Sequence, residues 1–348
     1  MINGGNMSKQ MNAAIYAGVG KAENIEMPVP VPKDGETLIK VESVGICGTD
    51  IAIYSGKHPR AKAPLVMGHE VGGVVAEISG KAAAGVEIGT RVTFFPLISC
   101  GTCGTCLSGR SYVCDTLKLI GIDFDGGMAE YVSVPSESVI PVPSHWNKNR
   151  AALMEPVAVA VHSVRRSSVK PGDRVLVLGA GIIGNLCAQM AKTAGAAQVV
   201  IADLTDYRLN IAAESGLTPV NIKNEDMIAR AHELTGGAGF DVTLECSGSA
   251  AAQPVAIAAT RVLGEIIIVG MPKEPPAVDL RLVAFKELSM IGSRVYEKVD
   301  FQRAIELVER ERILVDNLIS HEYPLEKTKE ALDLMAEAGD SMKIILTV

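Results

Sequence analysis

A glycine-rich turn between an apolar strand and a helix is the feature that most constrains the fold of this chain. The segment RVLVLGAGIIGNLCAQMAK places Gly179, Gly181 and Gly184 directly after strand-forming residues and at the start of a helix-forming run. In this context the first glycine permits a tight turn, the second lets the backbone approach a pyrophosphate, and the third lets helix and strand pack closely. The free N–H groups of the helix N-terminus then face the phosphates. The motif therefore predicts a doubly wound sheet that binds a dinucleotide.

An acidic residue after the next strand indicates which dinucleotide is bound. Asp203 lies nineteen residues after Gly184, at the end of QVVIAD, where it can accept hydrogen bonds from the adenosine ribose hydroxyls. A carboxylate there repels a 2′-phosphate, which favours NAD over NADP, although Arg208 five residues later leaves NADP open. Ile183 in the helix and Val269 at the end of EIIIVG complete the predicted cofactor-binding set.

The pattern of predicted secondary structure changes near residue 158. From Met11 to about residue 150, short β-rich runs alternate with glycine and proline, which predicts a barrel-like β domain. From about residue 158 to residue 290, strands alternate with helix-length segments, which predicts a parallel, doubly wound sheet. Two helices and a final strand, SMKIILTV, form a tail that we expect to pack onto the first domain. A chain of 348 residues exceeds what one core usually serves, so the predicted class is a two-domain α/β protein.

Four cysteines within fifteen residues predict a zinc site. The members are separated by two, two and seven residues and are Cys100, Cys103, Cys106 and Cys114. Four thiolates on one loop close a tetrahedral shell around zinc without an open position, so this site would be structural. The alternative is a set of buried or disulfide-linked cysteines, which this spacing in a reducing compartment disfavours.

A second candidate set is dispersed along the chain. It consists of Cys47 in GICGTD, His69 and Glu70 in GHE, and Glu155 in MEPVAVAVH. Each residue alone is weak evidence, because single cysteines are usually buried in cores and single glutamates usually lie on the surface. Together with a cofactor fold, one thiolate, one imidazole and one carboxylate leave a fourth zinc position for water or an alcohol oxygen. The sequence thus predicts two zinc ions per chain, one of them catalytic.

Composition excludes several classes of partner and location. The net charge is −7, and no run of Lys or Arg is long enough to follow a phosphate backbone, so nucleic acid is not an expected partner. The apolar runs are strand-length, so membrane insertion is not expected. The first residues lack the apolar core of a signal peptide, so we expect a cytoplasmic protein that acts on a small molecule.

Taken in order, several motifs resemble the zinc-containing medium-chain dehydrogenases across nearly the whole chain. The motifs are GICGTD, GHEVGG, the four-cysteine loop, EPVAVAVHSVRR and GAGIIG. The resemblance implies a GroES-like β-barrel catalytic domain over residues 1–156, a Rossmann NAD-binding domain over 157–292, and a tail over 293–348 that completes the catalytic domain. EPVAVAVHSVRR is similar to the segment of sorbitol and other polyol or sugar-acid dehydrogenases. The implied activity is zinc- and NAD-dependent oxidation of a secondary alcohol of a polyol, sugar or sugar acid, by a homo-oligomer, tetramer or dimer.

The resemblance also implies roles for individual residues. Cys47, His69 and Glu155 become the catalytic zinc ligands, Glu155 directly or through water, and Glu70 can exchange into the shell. Asp50 should accept a hydrogen bond from His69 and fix its tautomer.

Proton removal and substrate contacts follow from the same resemblance. Thr49 takes the position of the hydroxyl that receives the substrate proton. Many relatives carry a relay histidine where this chain has Ala52, so the proton must pass through water, the cofactor ribose or another group such as His58. Four residues become candidate substrate contacts, with ordinary structural roles as the alternative: Tyr54, Phe124, Arg294 and Tyr296.

Other functions stay open at this point. The CGTD and GHE motifs are shared with threonine dehydrogenases, so oxidation of threonine is an alternative. A NAD-binding regulatory protein without turnover is another, although the intact ligand set argues against it. A metallohydrolase is disfavoured, because the second histidine of HExxH and the GxSxG elbow are both missing from the sequence.

Overall fold

The computed structural model describes residues 9–272, 274–337 and 339–348. Two compact units form among these residues: unit 1 comprises those up to Glu155 together with those from Ile319 onward, and unit 2 comprises those from Pro156 to Leu318. The ranges 1–156, 157–292 and 293–348 stay a proposal for the domain boundaries.

The strands are numbered in chain order. Their bounds are β1 (Gln10–Gly18), β2 (Lys21–Pro28), β3 (Glu36–Gly45), β4 (Leu65–Val66), β5 (Glu70–Ile78), β6 (Arg91–Phe94), β7 (Leu97–Ile98), β8 (Lys118–Leu119), β9 (Tyr131–Pro135), β10 (Val139–Pro141), β11 (Arg174–Leu178), β12 (Gln198–Asp203), β13 (Thr218–Asn221), β14 (Phe240–Glu245), β15 (Thr260–Ile268), β16 (Ser289–Gly292), β17 (Ile319–Pro324) and β18 (Lys343–Thr347).

The helices are numbered in the same way. Their bounds are α1 (Gly48–Tyr54), α2 (Gly104–Leu107), α3 (Lys148–Ala152), α4 (Met154–Arg165), α5 (Ile182–Thr193), α6 (Asp206–Glu214), α7 (Met227–Thr235), α8 (Ala252–Ala259), α9 (Leu280–Phe285), α10 (Lys298–Glu309) and α11 (Thr328–Ala336). None of these helices has both the length and the apolar character that crossing a membrane requires.

Unit 1 is organised around β3. This strand pairs antiparallel with β5, β9 and β18, and its apolar side chains, among them Ile39 and Val44, are fully buried. At its end, Gly45 lies opposite Glu70 on β5 and opposite Ile345 on β18. The register therefore brings the end of β3 and the starts of β5 and β18 to one place in the unit.

Unit 2 is built on a sheet with the order β13, β12, β11, β14, β15, β16, in which neighbouring strands pair in parallel. The central strands β11, β12 and β14 are largely buried and mostly apolar, as expected when helices cover both faces, whereas the edge strand β16 is mostly exposed. The strand order reverses between β11 and β14, which is where doubly wound sheets bind ligands. The predicted parallel, doubly wound sheet is confirmed.

Helix α10, which the sequence placed in the C-terminal tail, packs within unit 2. Asp300 on α10 accepts a hydrogen bond from Nδ1 of His162 on α4 at 2.8 Å, and Arg165 forms an ion pair with the other Asp300 oxygen. Burial acts to raise the pKa of Asp300, but the contacts with His162 and Arg165 outweigh it and leave that pKa below its usual value. The buried hydrogen bond from His162 and the partly exposed ion pair with Arg165 hold α10 against α4.

Candidate metal centres and cofactor site

The four-cysteine loop has the dimensions of a zinc shell. Its Sγ atoms all lie within 4.8 Å of one another. Cys103 and Cys106 are 3.4 Å apart, Cys100 and Cys114 are 3.5 Å apart, and two further pairs are 3.9 Å apart. Zinc–sulfur bonds of about 2.3 Å give a tetrahedron with sulfur–sulfur edges of about 3.8 Å. A disulfide needs about 2.05 Å, so these free thiols are arranged for a metal ion and not for a bridge.

Backbone N–H groups of the loop already stabilise part of the negative charge. The N–H of Cys103 points at Sγ of Cys100 at 3.3 Å, and contacts of this kind from Thr102 and Cys103 lower the pKa of Cys100 to about 5. Desolvation and the neighbouring Cys103 raise the pKa of Cys106 to about 12. Four thiolates therefore cannot coexist here without a cation, and zinc fits the donor set.

A second centre, called the open centre here, forms where β3 and β5 meet. Ligand atoms of Cys47, His69 and Glu70 lie within 4.8 Å of one another. Cys47 caps the N-terminus of α1 just after β3, and its backbone N–H donates to Oδ2 of Asp50 at 2.8 Å. Glu70 is the first residue of β5 and His69 directly precedes it, and both are buried. Residues far apart in sequence are thus brought together by the register of β3 and β5.

The electrostatics of the open centre fit a divalent cation. Among the described residues, Nδ1 of His69 and Oδ1 of Asp50 are buried without a hydrogen-bond partner. Burial disfavours the His69 imidazolium, yet the charges of Cys47 and Asp50 outweigh it and raise the pKa of His69 well above its usual value. A buried excess of negative charge around sulfur, nitrogen and oxygen donors is what zinc neutralises.

The predicted hydrogen bond between Asp50 and His69 is not formed. Oδ1 of Asp50 lies 3.9 Å from Nδ1 of His69, too far for a hydrogen bond, because the carboxylate is held by the N–H of Cys47. Burial raises the pKa of Asp50. The negative charge of Asp50 contributes to raising the pKa of His69. The hydrogen bond that Asp50 accepts from Cys47 fixes the backbone just after β3.

The two glutamates of the predicted set occupy different environments. Glu155 lies in the first turn of α4, is buried, and contributes to raising the pKa of His69. Glu70 is engaged by Lys343, whose Nζ lies 2.8 Å from Oε1 and 2.7 Å from Oε2. Sequence reasoning missed Lys343, although a lysine inside the apolar strand KIILT was a signal, because buried lysines are almost always paired.

Three further predicted residues lie in unit 1. Thr49 is partly exposed in the first turn of α1, two residues after Cys47. Tyr54 at the end of α1 is buried, and its hydroxyl donates to Oδ1 of Asp333 at 2.8 Å, which fits a structural role. Phe124 is partly exposed beside the ammonium of Lys118.

The two predicted substrate contacts of unit 2 differ in exposure. Arg294 is exposed, whereas Tyr296 is fully buried and packs edge-on against Phe301 with ring centroids 5.2 Å apart. The environment of Tyr296 matches the structural alternative.

The three glycines of the turn between β11 and α5 have separable reasons to be glycine. Gly179 has φ of 97°, and a Cβ on Gly184 would lie 1.7 Å from the Gly179 carbonyl oxygen. A Cβ on Gly181 would meet no described atom within 4 Å. Packing within the protein therefore explains Gly179 and Gly184, whereas the open space at Gly181 fits the close approach of a pyrophosphate.

Asp203 braces this turn in addition to its predicted role at the ribose. Oδ2 accepts a hydrogen bond from the N–H of Ala180 at 2.7 Å, and Oδ1 accepts from the N–H groups of Leu204 and Thr205 at 2.7 and 3.0 Å. The carboxylate is thus fixed at the end of β12. The rest of the predicted cofactor set surrounds the same edge of the sheet: Ile183 in α5, Arg208 in α6 and Val269 after β15.

Alanine substitutions at Gly181 and Gly184 should affect different properties of the protein. Gly181→Ala should fold normally but weaken NAD binding about tenfold or more, equivalent to roughly 1.4 kcal/mol, because the new methyl group occupies pyrophosphate space. Gly184→Ala should instead lower the free energy of unfolding by about 2 kcal/mol or more. Calorimetric titration with NAD and thermal unfolding separate the two. Wild-type NAD affinity in Gly181→Ala would show that the pyrophosphate does not pass this residue.

The cysteine loop predicts a change in metal content. Cys103→Ser should reduce zinc from two ions per chain to about one and lower the unfolding midpoint by about 5 °C or more, because metal binding stabilises the folded loop. Elemental analysis and thermal unfolding measure both, with the exposed Ser111→Ala on the same loop as the control. A variant that kept both zinc ions would rule out the four-sulfur shell.

Comparisons with known proteins agree with this geometry. Residues 33–144 match the alcohol dehydrogenase GroES-like domain, and residues 183–310 match the zinc-binding dehydrogenase family. A 2-dehydro-3-deoxy-L-galactonate 5-dehydrogenase of Pseudoalteromonas atlantica is 37% identical and aligns with 97% of this chain and 98% of its own. An L-threonine 3-dehydrogenase of Bacillus subtilis is 37% identical, with 92% and 93% covered.

A solved structure supports the same assignment. A zinc-binding dehydrogenase of Sinorhizobium meliloti 1021 bound to NADP superposes with a TM-score of 0.92 at 32% identity, covering 98% of this chain and 100% of that one. The resemblance predicted from the motifs and the GroES-like character of the first domain are confirmed. The chain belongs to the zinc-binding dehydrogenases that carry an alcohol dehydrogenase GroES-like domain.

Proposed function

We propose that this protein transfers a hydride between a secondary alcohol of a polyol, sugar or sugar acid and NAD, using zinc in the open centre. The observation that carries the proposal is the donor set of that centre. The ligand atoms of Cys47 and His69, one sulfur and one nitrogen, lie within 4.8 Å of each other, and Glu70 beside them is engaged by Lys343. Glu155 is buried on α4, where its charge contributes to raising the pKa of His69, and we propose that it adds one oxygen. Three protein ligands leave the fourth position for the substrate oxygen, which is the arrangement of catalytic zinc sites.

The substrate class is supported by the sugar-acid relative. That protein is named for oxidation at position 5 of a deoxygalactonate, and its similarity extends over almost the whole of both chains. Oxidation of threonine is the second candidate, favoured by the equally similar threonine dehydrogenase. Both substrates carry a secondary alcohol and a carboxylate, so the two candidates differ in the neighbouring groups and not in the bond that is broken.

When bound, zinc supplies charge stabilisation to the substrate oxygen and NAD accepts the hydride. Thr49 is proposed to take the proton of the substrate hydroxyl, since it lies in the same turn as Cys47. Ala52 cannot relay that proton. The lone pair of His58 Nδ1 faces the N–H of Ala61 at 3.2 Å, which disfavours His58 as the acceptor. We therefore propose that Thr49 passes the proton to water or to the cofactor ribose.

NAD rather than NADP is part of the proposal. The carboxylate of Asp203 is fixed at the end of β12, where a 2′-phosphate would be repelled. Arg208 on α6 and the NADP-bound structure of a relative are the observations in favour of NADP, so both cofactors belong in the assay.

A homo-oligomer is also proposed. Strand β16 stands at the end of the unit 2 sheet, and exposed apolar residues occur on it, on its neighbour β15 and on the preceding helix α9: Met290, Val262, Leu263 and Phe285. The N–H of Leu263 donates to the carbonyl of Lys286, which places this part of β15 beside the end of α9. Edge strands and exposed apolar clusters are typical of interfaces, and a second copy pairing through β16 would cover both the strand edge and the apolar residues near it.

A cytoplasmic location is proposed as well, and the free thiols support it.

Light scattering tests the oligomer. The wild type should have the mass of a dimer or tetramer, and Met290→Lys should reduce the mass by half, because a buried unpaired lysine opposes pairing at β16. Lys298→Met, at an exposed position outside the edge, serves as the control. A monomeric wild type would contradict the proposal.

A substrate panel tests the activity. Polyols, aldonates and threonine are offered with NAD and with NADP, and reduced cofactor is measured by absorbance. Cys47→Ser should lower kcat/KM about a thousandfold, the equivalent of several kcal/mol, while NAD affinity is retained.

The outcomes separate the candidates. Preference for threonine would replace the sugar acid by the second candidate, and no turnover by zinc-loaded protein would favour a regulatory NAD-binding role. Normal turnover by Cys47→Ser would exclude the open centre as the place of reaction.

A further inference from the structure

We propose that Lys343, with room provided by Gly45, holds the Glu70 carboxylate away from the metal position and so keeps the open centre from closing. The inference rests on the proposed function, since it explains how a centre with four available protein donors retains a place for substrate. Lys343 is thereby a positioning residue for the metal site.

Every N–H donor of the Lys343 ammonium has a hydrogen-bond acceptor. Its three N–H donors meet three oxygens: Oε1 of Glu70 at 2.8 Å, Oε2 of Glu70 at 2.7 Å and the carbonyl of Ile46 at 2.9 Å. Lys343 and Glu70 are each 1% exposed, so water does not compete for these hydrogen bonds. One buried ammonium thus fixes both carboxylate oxygens and the residue that precedes the ligand Cys47.

Gly45 provides the space in which Glu70 is held. A Cβ at this position would lie 2.0 Å from Oε2 of Glu70, and Gly45 lies opposite Glu70 in the register of β3 and β5. A side chain at residue 45 would push the carboxylate out of its contact with Lys343. The glycine is therefore explained by the position of Glu70 and not by a turn.

Charge explains why the pairing matters. Glu70 reaches within 4.8 Å of the ligand atoms of Cys47 and His69. A buried carboxylate that loses its cation is strongly destabilised and moves toward the nearest positive charge. In the open centre that charge is the metal, and Cys47, His69, Glu155 and Glu70 together would form a closed shell like that of a structural zinc site.

The test measures access to the metal. The metal of the open centre is exchanged for Co²⁺, and imidazole is titrated while the visible absorption of cobalt is recorded. Wild-type protein should bind imidazole at the free position. Lys343→Met, which keeps the length of the side chain but removes its charge, should bind imidazole about tenfold more weakly or not at all and should release metal to a chelator more slowly. Cys47→Ser treated in the same way defines the background from the cysteine loop.

Two further variants keep the test decisive if Lys343→Met folds poorly. Lys343→Met combined with Glu70→Gln removes both buried charges and should restore imidazole affinity to within about threefold of wild type, because an amide is a weak zinc ligand. Gly45→Ala should reproduce the loss of imidazole binding with Lys343 intact. Wild-type imidazole affinity in Lys343→Met or in Gly45→Ala would overturn the inference, as would failure of Glu70→Gln to restore binding.

The result is independent of the substrate panel. Loss of imidazole access in Lys343→Met alongside an inactive wild type would support the positioning role and reject the proposed activity. Full activity of the wild type with unchanged imidazole access in Lys343→Met would support the proposed activity and reject the positioning role.

Discussion

The accumulation of negative charge at the meeting point of β3, β5 and β18 is the constraint on which the rest of the site depends. Cys47, Asp50 and Glu70 are placed there by antiparallel register, and Glu155 adds a further carboxylate from α4. Such a cluster is stable in a buried setting only when cations balance it. Lys343 supplies one cation from within the chain, and the raised pKa of His69 shows that the cluster attracts more positive charge. A divalent metal ion would balance the negative charge that remains.

The two metal centres solve different problems with different donors. In the cysteine loop, four sulfurs on one short segment surround the ion, so the shell is local and leaves no room for a substrate. In the open centre, the donors come from distant segments and one carboxylate is tied to a lysine. A site assembled from separate strands depends on the fold. In such a site another part of the chain can keep a potential metal ligand, here the Glu70 carboxylate, away from the metal. The open centre therefore forms only when the tertiary structure is in place, whereas the cysteine loop can assemble its four sulfurs from one short segment.

What the sequence predicted and what it missed follow from the range of the interactions. The glycine turn and the cysteine loop are set by spacing within about twenty residues, and the parallel sheet is indicated by the alternation of strand and helix segments, so each was readable from local pattern. Lys343 and Glu70 are 273 residues apart, so only the register of β3, β5 and β18 brings them together. The expected bond from Asp50 to His69 failed because Asp50 caps the turn after β3. Tyr54 and Tyr296 were candidate substrate contacts with structural roles as the alternative, and their burial, which depends on packing that a motif does not report, matches that alternative.

The most direct measurement of the central claim is the anomalous scattering of zinc from crystals of the metal-loaded protein. We expect one zinc within the four sulfurs of the cysteine loop and a second bound to Cys47, His69 and Glu155, with Glu70 still held by Lys343. A second zinc with both Glu70 and Glu155 in its shell, or no zinc beside Cys47, would contradict it.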